Sequence, residues 1–432
     1  MSAGSAEAVG AAKLGVSDSV GCDTDNEVLA TYLDLEEPRL VLDVRPASAF
    51  HQAHLVGSYH ISPISELRSR YSYLPPRNVP FLVLADHAKY DESAEAFSSI
   101  PSARLIYLVP EELASDSTAS GCIASHQRFF DSAQRLGLLR SSQSHQERIA
   151  SQADGGRDDV PELLFRPSNA VRRTVASLEA QRSQQSSLNV LDMGCGAARD
   201  LAWILHGSRT RTSSCSWTGV GVDNWIAALN RAQLLMDDLF LSTSSQRNTH
   251  GSQSVPRCDK LLWAKCSDDG FLEPLVGTGK GKAVQTAADE PELWRLYHQL
   301  GVAPLLPSAL TSNTEEAKFD LVLCVRFHPR ALLPRLSQIV RAGGIVLLSH
   351  FVTLSEAQRI EASHANPEAT IDYDSPPHPG RIQPGEIEDL VQIWNQAERA
   401  GHSWNIDADV LEPIEGGRII RSVALRKVAA SM

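Results

Sequence analysis

The most chemically pointed stretch of the chain is Asn189-Val190-Leu191-Asp192-Met193-Gly194-Cys195-Gly196. It reads as a buried strand ending in the acid Asp192, followed by a tight glycine turn. Gly194 and Gly196 carry no Cβ, so the backbone there can approach a ligand closely. Leu201, Ala202, Ile204 and Leu205 then continue as a helix with one apolar face. A second short apolar strand, Trp217-Thr218-Gly219-Val220-Gly221-Val222, also ends in an acid, Asp223, and a helix follows over 226–240. In an open α/β sheet, the carboxyl ends of strands at such turns are where ligands bind.

A dinucleotide fingerprint, G-x-G-x-x-G, needs a third glycine that packs helix against strand. Arg199 stands at that place, which weakens the reading. The pattern D-x-G-x-G over 192–196, with a second strand ending in Asp223, resembles motif I and its neighbour in the class I S-adenosylmethionine (SAM) methyltransferases. The resemblance implies a Rossmann-like, seven-stranded methyltransferase domain over 161–432, with SAM as cofactor. It places Asp192, Gly194, Cys195, Gly196, Asp223, Asn224, Trp225 and Asp268 around that cofactor. Asp223 is expected to hold the ribose hydroxyls, since a carboxylate only accepts hydrogen bonds. Trp225 lies where it can stack on an adenosine or simply pack. Asp268, after a third strand over 260–265, falls near the adenine amino group.

Phe319-Asp320-Leu321-Val322-Leu323-Cys324-Val325 has the character of the family's motif IV, and a methyl acceptor is expected at its carboxyl end. Arg326 and His328 are the acceptor-side candidates there, and histidine is the ready general base near neutral pH. A structural reading, in which His328 only caps or packs the next helix, stays open. No N-P-P-Y-type tetrapeptide follows this strand, so amino-group methylation of DNA bases or glutamine is not expected. The segments His378-Pro379-Gly380-Arg381 and Glu415-Gly416-Gly417-Arg418 loosely resemble tellurite-resistance-type and other small-acceptor methyltransferases. Residues 403–412 and 418–426 read as a final antiparallel hairpin. Substitution Asp223→Ala is expected to weaken SAM binding and leave the fold intact.

Upstream, Leu42-Asp43-Val44-Arg45 with Phe50, His54, Gly57 and Ser58 resembles the opening of the rhodanese-like family. Alternating strands and helices over 25–112 imply a small parallel α/β domain. The family's active loop would be Ala85-Asp86-His87-Ala88-Lys89-Tyr90-Asp91-Glu92-Ser93, and it contains no cysteine. Persulfide transfer needs a thiolate, so the expectation is a degenerate domain kept for packing or for binding a protein partner. Residues 1–24 read as a disordered leader and 113–160 as a linker, with 127–136 a helix docked on one domain. Polar insertions are expected over 207–216, 241–258 and 274–316, the last with a short helix at 292–300.

The chain has 432 residues and a formal net charge of −12, a poor basis for gripping nucleic acid. Its seven cysteines form no C-x-x-C pair, so no metal site is expected, and the composition fits a reducing, cytoplasmic setting. No run of about eighteen apolar residues suggests a membrane span. The function expected is methyl transfer from SAM to an acceptor, with a small molecule favoured over RNA or protein. The alternative is a non-catalytic scaffold built from two degenerate enzyme folds.

Overall fold

The computed structural model describes residues 29–30, 32–35, 39–77, 79–110, 122–141, 163–181, 187–210, 215–242, 257–276, 285–286, 291–307, 319–365, 373–398, 401–414 and 417–429. The sequence-based leader, 1–24, lies outside them.

The first unit is a parallel sheet. Its strands are β1 (Val41–Asp43), β3 (Tyr59–His60), β4 (Phe81–Asp86), β5 (Ala103–Val109) and β6 (Cys122–Ser125), in the order β3-β1-β4-β5-β6. Its helices are α1 (Ala47–Gln52), α2 (Tyr90–Phe97) and α3 (His126–Arg135). Residues 81–85 are fully buried, as expected of an unbroken apolar run in a sheet covered on both faces. The linker expected over 113–160 is therefore partly structured. β6 pairs with β5, α3 follows with Ser125 as its N-cap, and β7 (Leu139–Ser141) pairs antiparallel with β2 (Ala53–Leu55). These residues close the first unit because β5 would otherwise be a bare edge.

The second unit begins with α4 (Asn169–Gln181) and β8 (Ser187–Met193). There follow α5 (Arg199–Thr210), β9 (Ser216–Asp223), α6 (Ile226–Asp238), β10 (Arg257–Cys266), β11 (Leu272–Val276), β12 (Gln285–Thr286) and α7 (Pro291–Gln299). The unit ends with β13 (Phe319–Val325), α8 (Leu333–Leu336), β14 (Val340–Phe351), α9 (Glu356–Ala365), α10 (Glu386–Ala397), β15 (His402–Pro413) and β16 (Ile419–Ala429). The sheet order is β12-β11-β10-β9-β8-β13-β14-β16-β15. The five strands β10, β9, β8, β13 and β14 are mutually parallel, and β16 runs antiparallel to β14 and to β15.

This is a doubly wound sheet whose strand order reverses between β8 and β13. Seven strands were expected and nine are present among the described residues. The extra two come from the insertion after β10, where β11 folds back on β10 as a hairpin and β12 pairs with it. The final hairpin forms as expected, in β15 and β16.

The units share one apolar core. Tyr59, Tyr73, Phe81 and Phe97 of the first cluster continuously with Leu201, Leu205, Leu235 and Met236 of the second. At this seam Arg70 grips Asp238, the last residue of α6, through Nε–Oδ2 at 2.8 Å, and Tyr73 donates its hydroxyl to the Arg231 carbonyl at 3.2 Å. Burial raises the Tyr59 and Tyr73 phenols, with Asp238 nearby adding to the rise.

Candidate active site

The carboxyl ends of β8, β9 and β13 meet at the reversal point of the sheet. After β8, Gly194 adopts φ 69° and Gly196 φ 55°, the left-handed region that glycine enters without strain. Gly194 N–H and Cys195 N–H both donate to the Val222 carbonyl, at 2.8 and 3.0 Å, so the turn is laced to β9. A Cβ at Gly194 would lie 2.4 Å from the Phe327 ring, whereas a Cβ at Gly196 would meet nothing within 4 Å. Phe327 thus covers one side of the turn and the Gly196 side stands open.

Asp223 closes the same turn. Its Oδ2 accepts from Gly196 N–H at 2.8 Å and its Oδ1 from Trp225 N–H at 2.7 Å. A carboxylate has about four lone-pair sites, so half its acceptor capacity stays open beside the turn. The contact also changes one expectation. Asp223 holds backbone on both sides of itself, so Asp223→Ala cannot be neutral to the fold.

Asp192 is buried beneath the turn. Burial pushes its carboxyl well above the usual range, and the nearby Asp200 and Asp223 push it further. Asp200, in the first turn of α5, is raised by burial and partly relieved by Arg199 and Arg326. Burial, with Asp192 and Asp223 nearby, pushes the Cys195 thiol well up, so it has no thiolate character at neutral pH. Asp192 and Asp200 favour a cation beside them, since nearby positive charge offsets the cost of ionising a buried carboxyl. Asp200 was not among the sequence candidates; its signal was an acid in the helix turn that immediately follows the glycine loop.

Asn224 and Trp225 are exposed, Trp225 at 58%, with the Arg231 guanidinium 4.6 Å from the Trp225 ring centroid. The Asn224 carbonyl accepts from Trp263 Nε1–H at 3.0 Å. Asp268 sits exposed in the turn between β10 and β11, at the carboxyl end of β10.

On the β13 side, Arg326 is exposed and held at φ 55°, a conformation that costs a non-glycine residue energy, with its N–H donating to the Ser349 carbonyl at 2.7 Å. His328 is different. Its side chain is 4% exposed, its Nε2–H donates to Glu386 Oε1 at 2.9 Å, and its ring stacks on His350 at 5.5 Å. Its Nδ1 is buried without a partner. Glu386 also accepts from Arg330 Nε at 2.6 Å and from Gln383 N–H at 2.8 Å. Burial would raise its carboxyl, but these bonds carry it well below the usual range. His350 donates Nε2–H to the Gly380 carbonyl at 3.1 Å, and burial together with His328 lowers it to about 4. Glu386 and His350 lie 58 and 22 residues from His328, and no local pattern announces them.

The chain is 30% identical over 193 residues to an uncharacterized protein of Schizosaccharomyces pombe, a match that takes in 44% of this chain and 48% of that one. It spans about half the length of that curated relative. No protein-family model matches the chain. Similar solved structures include a SAM-dependent methyltransferase from Methanosarcina mazei, at 11% identity and TM-score 0.31, covering 61% of this chain and 99% of that one. A second is a SAM-dependent methyltransferase from Aquifex aeolicus, at 11% and 0.30, covering 65% and 97%. A third is an arsenic(III) SAM methyltransferase from Chlamydomonas reinhardtii, at 16% and 0.30, covering 62% and 76%. Likenesses this distant carry no assignment of activity.

Among the described residues no helix is long and apolar enough to cross a membrane, and no group of three or more His, Cys, Asp or Glu is placed to hold a metal ion.

Proposed function

We propose that the chain is a SAM-dependent methyltransferase that acts on a small-molecule acceptor. The observation that carries this reading is the convergence of Asp192, the open Gly196 turn and the half-free Asp223 carboxylate where the strand order reverses. The donor set suits the cofactor. The open side of Gly196 admits close backbone approach, Asp223 retains acceptor capacity for a diol, Trp225 offers an aromatic face, and Asp192 and Asp200 favour a cationic ligand.

Bound there, SAM supplies a methyl group already activated on a sulfonium. The protein's share is to bring acceptor and methyl together and exclude water. Phe327, packed against Gly194, forms an apolar wall of that space. In this reading Arg326 faces the acceptor. Glu386 fixes the His328 proton on Nε2, and with its Nδ1 buried His328 positions the loop after β13 that carries Arg326 and Phe327. The first unit is a degenerate domain with a packing role: Asp86 ends β4 and His87 follows it where a thiol would be needed, and its seam with α6 is continuous core.

Calorimetric titration of the purified protein with SAM and S-adenosylhomocysteine tests the proposal. Micromolar binding of both supports it. No binding by the folded protein overturns it and favours the scaffold reading.

A further inference from the structure

The chain is acidic overall, yet at the carboxyl end of β14 and the entry to β16 two guanidinium groups meet no carboxylate among the described residues. Arg381 is 5% exposed. Its Nε donates to the Pro376 carbonyl at 2.8 Å and a terminal nitrogen donates to the Tyr373 carbonyl. Its guanidinium lies 4.3 Å from the Tyr373 ring centroid. Arg418, half-buried, donates to the Ser375 carbonyl at 3.0 Å and lies 4.8 Å from the Phe351 ring centroid. Phe351 and Tyr373 meet edge to face at 5.5 Å. Two guanidinium groups therefore flank one aromatic pair and one short turn, 373–376.

Arg330, Arg341, Arg421 and Arg426 each reach a carboxylate. Arg381 and Arg418 reach none among the described residues. The acid beside them on the turn, Asp374, is exposed and pairs with neither, and Glu386 is already engaged by His328, Arg330 and the Gln383 N–H. Burying a charge without a counter-charge is costly. Of the five N–H donors a guanidinium carries, Arg381 uses two on carbonyls and Arg418 one. The remaining donors form the planar fork that matches carboxylate and phosphate oxygens.

Position gives this pair its meaning. β14 and β8 both pair with β13, all parallel, and β16 lies next beyond β14. At ~4.8 Å per strand, the pair stands roughly 10–14 Å along the sheet edge from the glycine turn, the span of a small molecule. The exposed Arg326 lies between them, at the end of β13.

We propose that Arg381 and Arg418 form an anion subsite at the carboxyl edge of β14 and β16 that holds a carboxylate or phosphate group of the methyl acceptor. That the anion belongs to a methyl acceptor rests on the methyltransferase reading; the subsite itself does not.

The test uses the full chain with inorganic phosphate and, separately, acetate as probes, at ionic strength held constant with chloride. Binding is read by calorimetry and by the shift in unfolding temperature. Wild-type protein should bind one or both probes at millimolar concentration, and the stronger probe tells phosphate from carboxylate. Arg418→Gln should weaken that binding by about tenfold or more, and Arg418→Lys by less, since lysine keeps the charge without the fork. Arg381→Gln carries a risk to folding, so the Arg418 variants decide. Anion binding equal in wild type and folded Arg418→Gln, or no response beyond matched chloride, overturns the subsite. Anion binding lost in Arg418→Gln supports it even in a protein that shows no affinity for SAM, so the two readings fail separately.

Discussion

Replacing Asp223 by asparagine separates its two roles. In the native turn each carboxylate oxygen accepts one backbone N–H, Oδ2 from Gly196 and Oδ1 from Trp225. Asparagine keeps the shape and one acceptor but turns an NH2 toward the other N–H, so one charge-assisted bond is lost. A hydrogen bond to a charged group is worth about 1.5–3 kcal/mol. Because Asp223 is only half-buried, water can take up part of the loss, and a stability cost of roughly 1–2 kcal/mol is expected. A ligand diol that shares this carboxylate loses a charged acceptor too, which corresponds to an affinity drop of about 10–100-fold. Asp223→Ala removes both turn bonds and should cost more stability than Asp223→Asn. Urea unfolding and calorimetric titration with SAM on the same preparations separate fold from binding. Unchanged SAM affinity in a folded Asp223→Asn protein would refute the assignment and leave Asp223 as a turn clasp only.

Asp192→Asn should make the fold more resistant to urea at neutral pH while weakening SAM binding. The Asp192 carboxyl is raised in the folded state, so its stabilising contribution is full below the unfolded value and drains as pH rises through the folded one. Wild type should show that decline in the urea midpoint and Asp192→Asn should lack it; parallel profiles would contradict the burial argument. The same physics predicts proton release on SAM binding, read as a dependence of calorimetric heat on buffer ionisation. At the seam between units, Arg70→Ala strips Asp238 of its partner and should cost about 1–2 kcal/mol; an unchanged unfolding midpoint would show the seam to be held by apolar packing alone. His350, lowered to about 4 in the folded state, favours its neutral form there, so its contribution is lost as pH falls from the unfolded value near 6.5 through about 4. His350→Gln should flatten stability in that window. Gly219→Ala would put a methyl 2.4 Å from Leu201 Cδ1 in the buried core and should destabilise by about 1–3 kcal/mol.

Much of the second unit was legible in sequence because its signals are local. Apolar strands that end in Asp192 and Asp223, glycines just beyond the first, and a helix after each are patterns within a dozen residues. So too was the final hairpin, whose strands sit next to one another in the chain. The cysteine-free loop after β4 likewise needed only reading. Tertiary structure alone decided the partners. Asp223 closes a turn 27 residues upstream, because β8 and β9 run parallel and bring their carboxyl ends together. Sequence left His328 between a base and a packing residue; the packing of α10 and β14 ties it to Glu386 and stacks it on His350. The segment 122–141 read as linker with a docked helix over 127–136; the helix forms at His126–Arg135, and pairing with β5 and β2 added the strands on either side of it. The hairpin β10–β11 lengthened the sheet for the same reason. Arg381 and Arg418, 37 residues apart, share one turn only because β16 returns antiparallel beside β14. Local pattern sets which elements form and where charges enter or leave them. The crossing of distant strands sets which charges meet, and there desolvation and pairing settle what each group does.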